Sequence, residues 1–183
     1  GQPVWRLLGG YAEEVEAYAD GAGYADAPDQ STAGIAARVE ECVANGYRAV
    51  KIHMYEATEP AEVIERVRLT RERVGPDIKL MVDIHRAWDG ATAAATACSL
   101  ERYGRYWIEE PVREDDEFHA MRMVNEATST MVSGGEGEGT LYGIRDLIVH
   151  GGLQMVQTDI LVGGGYTGLL RLAALARAYH LPI

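Results

Sequence analysis

The chain of 183 residues carries 28 acidic against 17 basic side chains, a formal net charge of −11. That balance excludes a nucleic-acid binder, which needs a cationic face, and the apolar content suits one soluble globular domain. No apolar run reaches the length of a membrane span, and no signal-peptide pattern opens the chain. Cys42 and Cys98 lack metal-type spacing, so they read as buried thiols of a reducing compartment, the cytoplasm. The first residue is Gly1 and Ile183 follows an apparent strand start, so both ends read as cut and the chain as a fragment.

Residues 1–10 read as a linker, and Glu13 to Ala19 alternates weakly as a first strand. A Gly/Asp/Pro-rich loop follows over 21–30. Ser31 or Thr32 caps a helix running to Asn45, and Gly46 ends it. Tyr47 to Met54 is the second strand. Thr58 caps a helix that starts at Pro60 and carries Val63, Val67 and Val74 on its inner face.

Strand three is Ile78 to His85, and Asp89 caps an Ala-rich helix over 90–103. Arg105 to Val112 is strand four, with Pro111 tolerable only near its end. A helix over 115–127 leads to strand five, Thr130 to Gly135. Leu141 to His150 is a helix, Leu153 to Ile160 strand six, and Gly168 to His180 a helix with Leu169, Leu172, Ala173 and Ala176 inward. Leu181 opens strand seven. This strand–helix alternation predicts either an open doubly wound sheet or a (β/α) barrel of TIM type.

Three of the apolar runs end in an acid: Asp83, Glu109 and Glu136, spaced 26 and 27 residues apart. Parallel strands bring their C-terminal tips to one mouth, which favours the barrel. A complete barrel needs about 250 residues, so the expectation is an incomplete one over 1–183, lacking its last strand. Three carboxylates forced together repel unless a cation compensates them. Oxygen donors without a close Cys or His pair point to Mg²⁺ before Ca²⁺ or Zn²⁺. Residues i and i+2 share a strand face, so Lys51 and His53 point together, as do Asp83 and His85. Asp159 stands at the end of strand six.

The order Val50-Lys51-Ile52-His53, Val82-Asp83-Ile84-His85-Arg86-Ala87-Trp88, Trp107-Ile108-Glu109-Glu110-Pro111 and Gly135-Glu136 resembles the mandelate racemase/muconate-lactonizing-enzyme branch of the enolase superfamily. Thr158-Asp159-Ile160 and Gly163-Gly164-Gly165-Tyr166-Thr167 extend the resemblance through nearly the whole chain. It implies Asp83, Glu109 and Glu136 as the Mg²⁺ ligands, with Glu136 preferred to Glu138. It implies abstraction of the proton α to a carboxylate, with the enediolate stabilised by Mg²⁺. It also implies a separate N-terminal capping domain over the mouth.

By the same resemblance Lys51 neutralises the substrate carboxylate. The base is His53, or a His on strand seven paired with Asp159, which would fall a few residues beyond Ile183. The family commonly carries Lys where His53 stands. His85 occupies a place where racemases and lactonising enzymes carry Asn, and resembles the acid of the sugar-acid dehydratases. The expected reaction is therefore dehydration of an acid sugar, with a racemase, epimerase or cycloisomerase on the same scaffold as the alternative. A non-catalytic barrel relative and a phosphate-binding barrel built on Gly163–Gly165 are the remaining readings. Expected partners are a small-molecule carboxylate and further copies of the chain in a homo-oligomer, with neither nucleic acid nor membrane.

Overall fold

The computed structural model describes residues 1–23, 29–55, 59–113 and 117–183. Its strands are β1 (Ala19–Ala22), β2 (Ala49–His53), β3 (Lys79–Asp83), β4 (Arg105–Glu109), β5 (Met131–Gly134) and β6 (Met155–Val156). After a short α1 (Val4–Leu7), the helices are α2 (Thr32–Ala44), α3 (Pro60–Val74), α4 (Gly90–Leu100), α5 (Glu117–Ala127), α6 (Leu141–Val149) and α7 (Gly165–Ala178). The six strands form one sheet in chain order, each parallel to the next. A doubly wound sheet reverses its order at a switch point; this one never does. It is the arc of a (β/α) barrel, with β1 and β6 as its edges.

Strand alternation divides the apolar side chains between two layers. Val50, Ile52, Leu80, Val82, Ile108, Val132 and Val156 face outward and pack beneath the helices. Met81, Trp107 and Met155 face inward, with Ala49 and Met131 against them. The helices start where their caps dictate. Ser31, not Thr32, is the cap of α2, its Oγ accepting from the Gly34 N–H at 3.1 Å. Asp89 caps α4 through the Thr92 N–H at 2.8 Å. Pro60 opens α3, with Val63 and Val67 buried a turn apart and Val74 half-buried.

Several expectations need correction. The first strand is Ala19–Ala22, because Ala19 and Ala22 pair with Val50 and Ile52 of β2 while Glu13 to Glu16 stay exposed. The 1–10 stretch contains the short α1. Among the described residues six strands form, not seven: the last run adds none, its Pro182 carbonyl accepting from the Val156 N–H at 3.0 Å while the Leu181 N–H donates back to the Ala176 carbonyl at 2.9 Å. β6 is two residues long, since Asp159 Oδ1 accepts from the Leu161 N–H at 2.6 Å and folds the chain into a turn. That turn lets α7 begin at Gly165 rather than Gly168. The helix over 90–103 finishes as a 3₁₀ turn. Cys98 is exposed and Cys42 half-buried. The expected cap Thr58 lies outside the described residues, as do 24–28 of the glycine-rich loop and 115–116 of the expected helix over 115–127.

Candidate active site

The register of three neighbouring strands sets the site. His53 lies beside Asp83 and Asp83 beside Glu109, so one inward-facing residue from each of β2, β3 and β4 stands at the same level. Adjacent strands are about 4.8 Å apart, which forces these groups into mutual contact. Lys51, two residues below His53 on the same face, reaches up to Glu109 with its Nζ 3.0 Å from both carboxylate oxygens. The same ammonium is 3.9 Å from Asp83 Oδ2. Lys51, His53, Asp83 and Glu109 are all buried.

His85 arrives differently from the expectation of a shared strand face. β3 ends at Asp83, and His85 and Arg86 both adopt left-handed backbone, φ 52° and 60°. Such angles cost a non-glycine residue roughly 1–2 kcal/mol and concentrate at functional sites. Here they fold the ring back over the strand tip. Asp83 Oδ1 accepts from the His85 N–H at 3.0 Å. Its Oδ2 then faces two imidazoles, His53 Nδ1 at 3.1 Å and His85 Nε2 at 3.2 Å. The two rings touch, Nδ1 to Nε2, at 2.8 Å. His53, Asp83 and His85 offer one donor atom each within 4.8 Å, a group able to hold a metal ion.

The charges around this cluster perturb one another. Burial and the Asp83 charge outweigh the Lys51 ammonium at Glu109, and its pKa rises to about 7. Burial opposes the charged form of His53, but hydrogen bonds to Asp20 and Asp83 raise its pKa to about 8. His85 is pushed down by burial, against the pull of Asp83. Burial, Glu110 and Asp83 raise Glu136.

Glu136 follows β5 at Gly135, whose φ of 104° suits glycine and where a Cβ would lie 2.6 Å from Ile144 Cδ1. Its carboxylate is 3.6 Å from Arg86, which also binds buried Glu110 at 2.9 Å. Glu110 in turn accepts from the Gly135 N–H at 2.6 Å. Asp159 stands apart: it is exposed, and its Oδ1 accepts from the Leu161 N–H of its own turn. Sequence reasoning missed Gln157, which hydrogen-bonds Glu109 and accepts from the Ser133 hydroxyl at 2.7 Å. It also missed Asp20, whose Oδ1 is 2.5 Å from His53 Nε2. An acid in the small-residue run Ala19-Asp20-Gly21-Ala22 before a glycine-rich loop was the signal for the latter.

With this geometry in view, residues 34–183 match the family model described as enolase C-terminal domain-like. The chain belongs to that family, in the mandelate racemase/muconate-lactonizing-enzyme branch of the enolase superfamily. It is 35% identical over 181 residues to a 3,6-anhydro-α-L-galactonate cycloisomerase of Streptomyces coelicolor, covering 98% of this chain and 48% of that protein. It is 32% identical to an L-rhamnonate dehydratase of Saccharopolyspora erythraea, covering 97% of this chain and 44% of that one. Among solved structures, a racemase from Streptomyces coelicolor A3(2) with bound magnesium superposes with a TM-score of 0.87 at 31% identity, over 98% of this chain and 48% of that one. The chain thus spans about half the length of the relatives it matches.

The enolase-type mouth fits a divalent cation on its own chemistry. Asp83, Glu109, Glu110 and Glu136 meet the permanent cations Lys51 and Arg86, among the described residues, and the raised Glu109 and Glu136 report the imbalance. A cation would relieve both. No helix of the described residues is long and apolar enough to cross a membrane.

Proposed function

We propose that this barrel carries out Mg²⁺-dependent abstraction of the proton α to a carboxylate, and that its reaction is the dehydration of an acid sugar. One observation carries the reading. Two imidazoles of opposite pKa displacement meet at one buried carboxylate, beside a second acid held near pH 7. A cluster of groups with displaced pKa values at the end of a barrel is the arrangement of an acid–base site. A merely structural barrel gains nothing from burying repelling acids, which disfavours the non-catalytic reading.

Asp83, Glu109 and Glu136 supply oxygen donors of the kind Mg²⁺ prefers, and Asp83 also belongs to the group with His53 and His85. When bound, the ion supplies positive charge that stabilises a substrate carboxylate while its neighbouring C–H is deprotonated. Lys51 and Gln157 hold Glu109 in place, and Lys51 adds a second positive charge to the mouth. His53, in the neutral form it takes above its pKa of about 8, accepts the α-proton. His85, 21% exposed in its side chain, donates a proton from its imidazolium form to the departing β-hydroxyl. Loss of water leaves an enol that becomes a 2-keto-3-deoxy acid. Tyr55, its ring 3.8 Å from that of His85, borders the place where the substrate's far end would lie.

A cycloisomerase or racemase on the same scaffold is the second reading, favoured by the names of the S. coelicolor relatives. Incubating the full-length protein with Mg²⁺ and a panel of acid sugars, in D₂O, separates the two. Dehydration yields an α-keto acid and water, whereas the alternative returns a deuterated isomer of the same mass class. Neither product from any acid sugar, with no deuterium uptake, would end the reading. The net charge of −11 and the thiols of Cys42 and Cys98 support a cytoplasmic enzyme without nucleic-acid partners. Exposed Leu161, Val162, Tyr166 and Leu170 support a homo-oligomer, as apolar surface for subunits to cover.

A further inference from the structure

We propose that Trp107 of β4 is the positioning residue for Glu109, its indole N–H holding one carboxylate oxygen so that the acid keeps a single orientation toward the mouth. Trp107 and Glu109 stand two residues apart on one strand and share its inward face. The indole Nε1–H donates to Glu109 Oε2 at 3.2 Å. Gln157 takes the other oxygen, Oε1, and the Lys51 ammonium lies 3.0 Å from both. Donors from β2, β4 and the end of β6 therefore converge on one acid.

These donors differ in stiffness. Lys51 reaches Glu109 through a flexible four-carbon stem, and Gln157 is half-buried. A tryptophan side chain has only two χ angles, and Trp107 is 6% exposed. Its ring packs with Met81 and Met155 in the inward layer. Tyr18, just ahead of β1, meets it edge-on, with the ring centroids 5.5 Å apart and the planes at 82°. The face of Tyr18 also receives the Lys51 ammonium, 5.8 Å from the ring centroid. Each member of the Lys51–Glu109 ion pair thus has its own aromatic partner, and the two rings brace one another. A buried indole N–H needs an acceptor, and here the acceptor is an acid that the mouth presents to a cation. Outer partners of this kind govern how firmly a ligand carboxylate binds a metal. The assignment rests on the reading of Glu109 as a cation ligand, whereas the hydrogen bond that defines it belongs to the chain alone.

The test uses full-length protein labelled with ¹⁵N-tryptophan and titrated with Mg²⁺ alone. The indole N–H signal absent from Trp107→Phe belongs to Trp107. In EDTA, Glu109→Gln should move that signal upfield, because a neutral amide accepts more weakly than a carboxylate. Calorimetry of Mg²⁺ binding supplies the second readout. Trp107→Phe should weaken Kd by about 10–100-fold, the range for a lost partner of a metal ligand. Replacing Trp107 by benzothienylalanine keeps the size of the ring and puts sulfur in place of the N–H. That protein should weaken Kd within the same range while retaining the far-UV CD of the parent. A benzothienylalanine protein with the parent's Mg²⁺ Kd overturns the proposal, and so does a Trp107 signal indifferent to Glu109→Gln. Should Trp107→Phe not fold, the benzothienylalanine protein assigns the signal and decides the affinity by itself. A parent without Mg²⁺ affinity ends the cation reading of the mouth, and the indole signal then supports or overturns the hold of Trp107 on Glu109.

Discussion

Replacing Glu109 with Gln keeps the shape of a buried side chain and removes its charge. The Glu109 carboxyl is raised from 4.5 to about 7 because burial and Asp83 oppose its ionisation more than Lys51 favours it. At about 1.36 kcal/mol per unit, that displacement is worth about 3 kcal/mol. The folded state holds this proton more tightly than the unfolded chain. The associated stability is therefore complete below pH 4.5 and lost as pH rises through about 7. Gln does not titrate, so the variant lacks this decline.

Loss of the Lys51 partner lowers the whole curve without changing its slope. The Lys51 pKa is itself raised, since Glu109 and Asp20 outweigh burial, and the ammonium stays charged throughout the window. Asp83 remains 3.9 Å away as a residual counter-charge. Urea unfolding of EDTA-treated, full-length parent and variant across this pH range supplies the comparison. The parent should lose about 3 kcal/mol more than Glu109→Gln over the window, and Mg²⁺ should shrink the difference by favouring ionised Glu109. Parallel curves would refute the claim that Glu109 is held near neutrality by its neighbours.

Three further perturbations reach other parts of the site. His85→Asn should slow dehydration by roughly 10²–10⁴-fold, as for a lost general acid, while α-proton exchange with D₂O persists; full dehydration by the variant would remove His85 as the acid. Mg²⁺ at about a hundred times its Kd should add about 2.7 kcal/mol to stability, seen as a higher Tm that Glu136→Gln reduces; a Tm indifferent to both Mg²⁺ and EDTA removes the cation from the mouth. Gly23→Ala, forced into φ +90° against the His53 carbonyl, should cost roughly 1–3 kcal/mol and lower kcat together with stability. A variant that melts with the parent would show that β1 is not clamped there.

The sequence by itself determined the class of fold and most of the mouth. Val50-Lys51-Ile52-His53 and Leu80-Met81-Val82-Asp83 announce by period-two alternation which residues face the helices and which the barrel axis. That alternation is local, so Lys51, His53, Asp83 and Glu109 were legible without coordinates. Sheet order was not, because pairing is a long-range property; acids at successive strand ends favoured the barrel, and the unbroken order β1 to β6 is what the structure adds to that reading. His85 reached the expected neighbourhood by left-handed backbone that no strand pattern predicts. Asp159 sat at an apparent strand tip until its side chain closed a turn two residues ahead. Asp20 and Gln157 lie 33 and 48 residues from the groups they bind, and nothing in their local sequence names those partners. Such contacts are created by strand register and the close passage of Gly23 over His53, and they exist only once the sheet has formed.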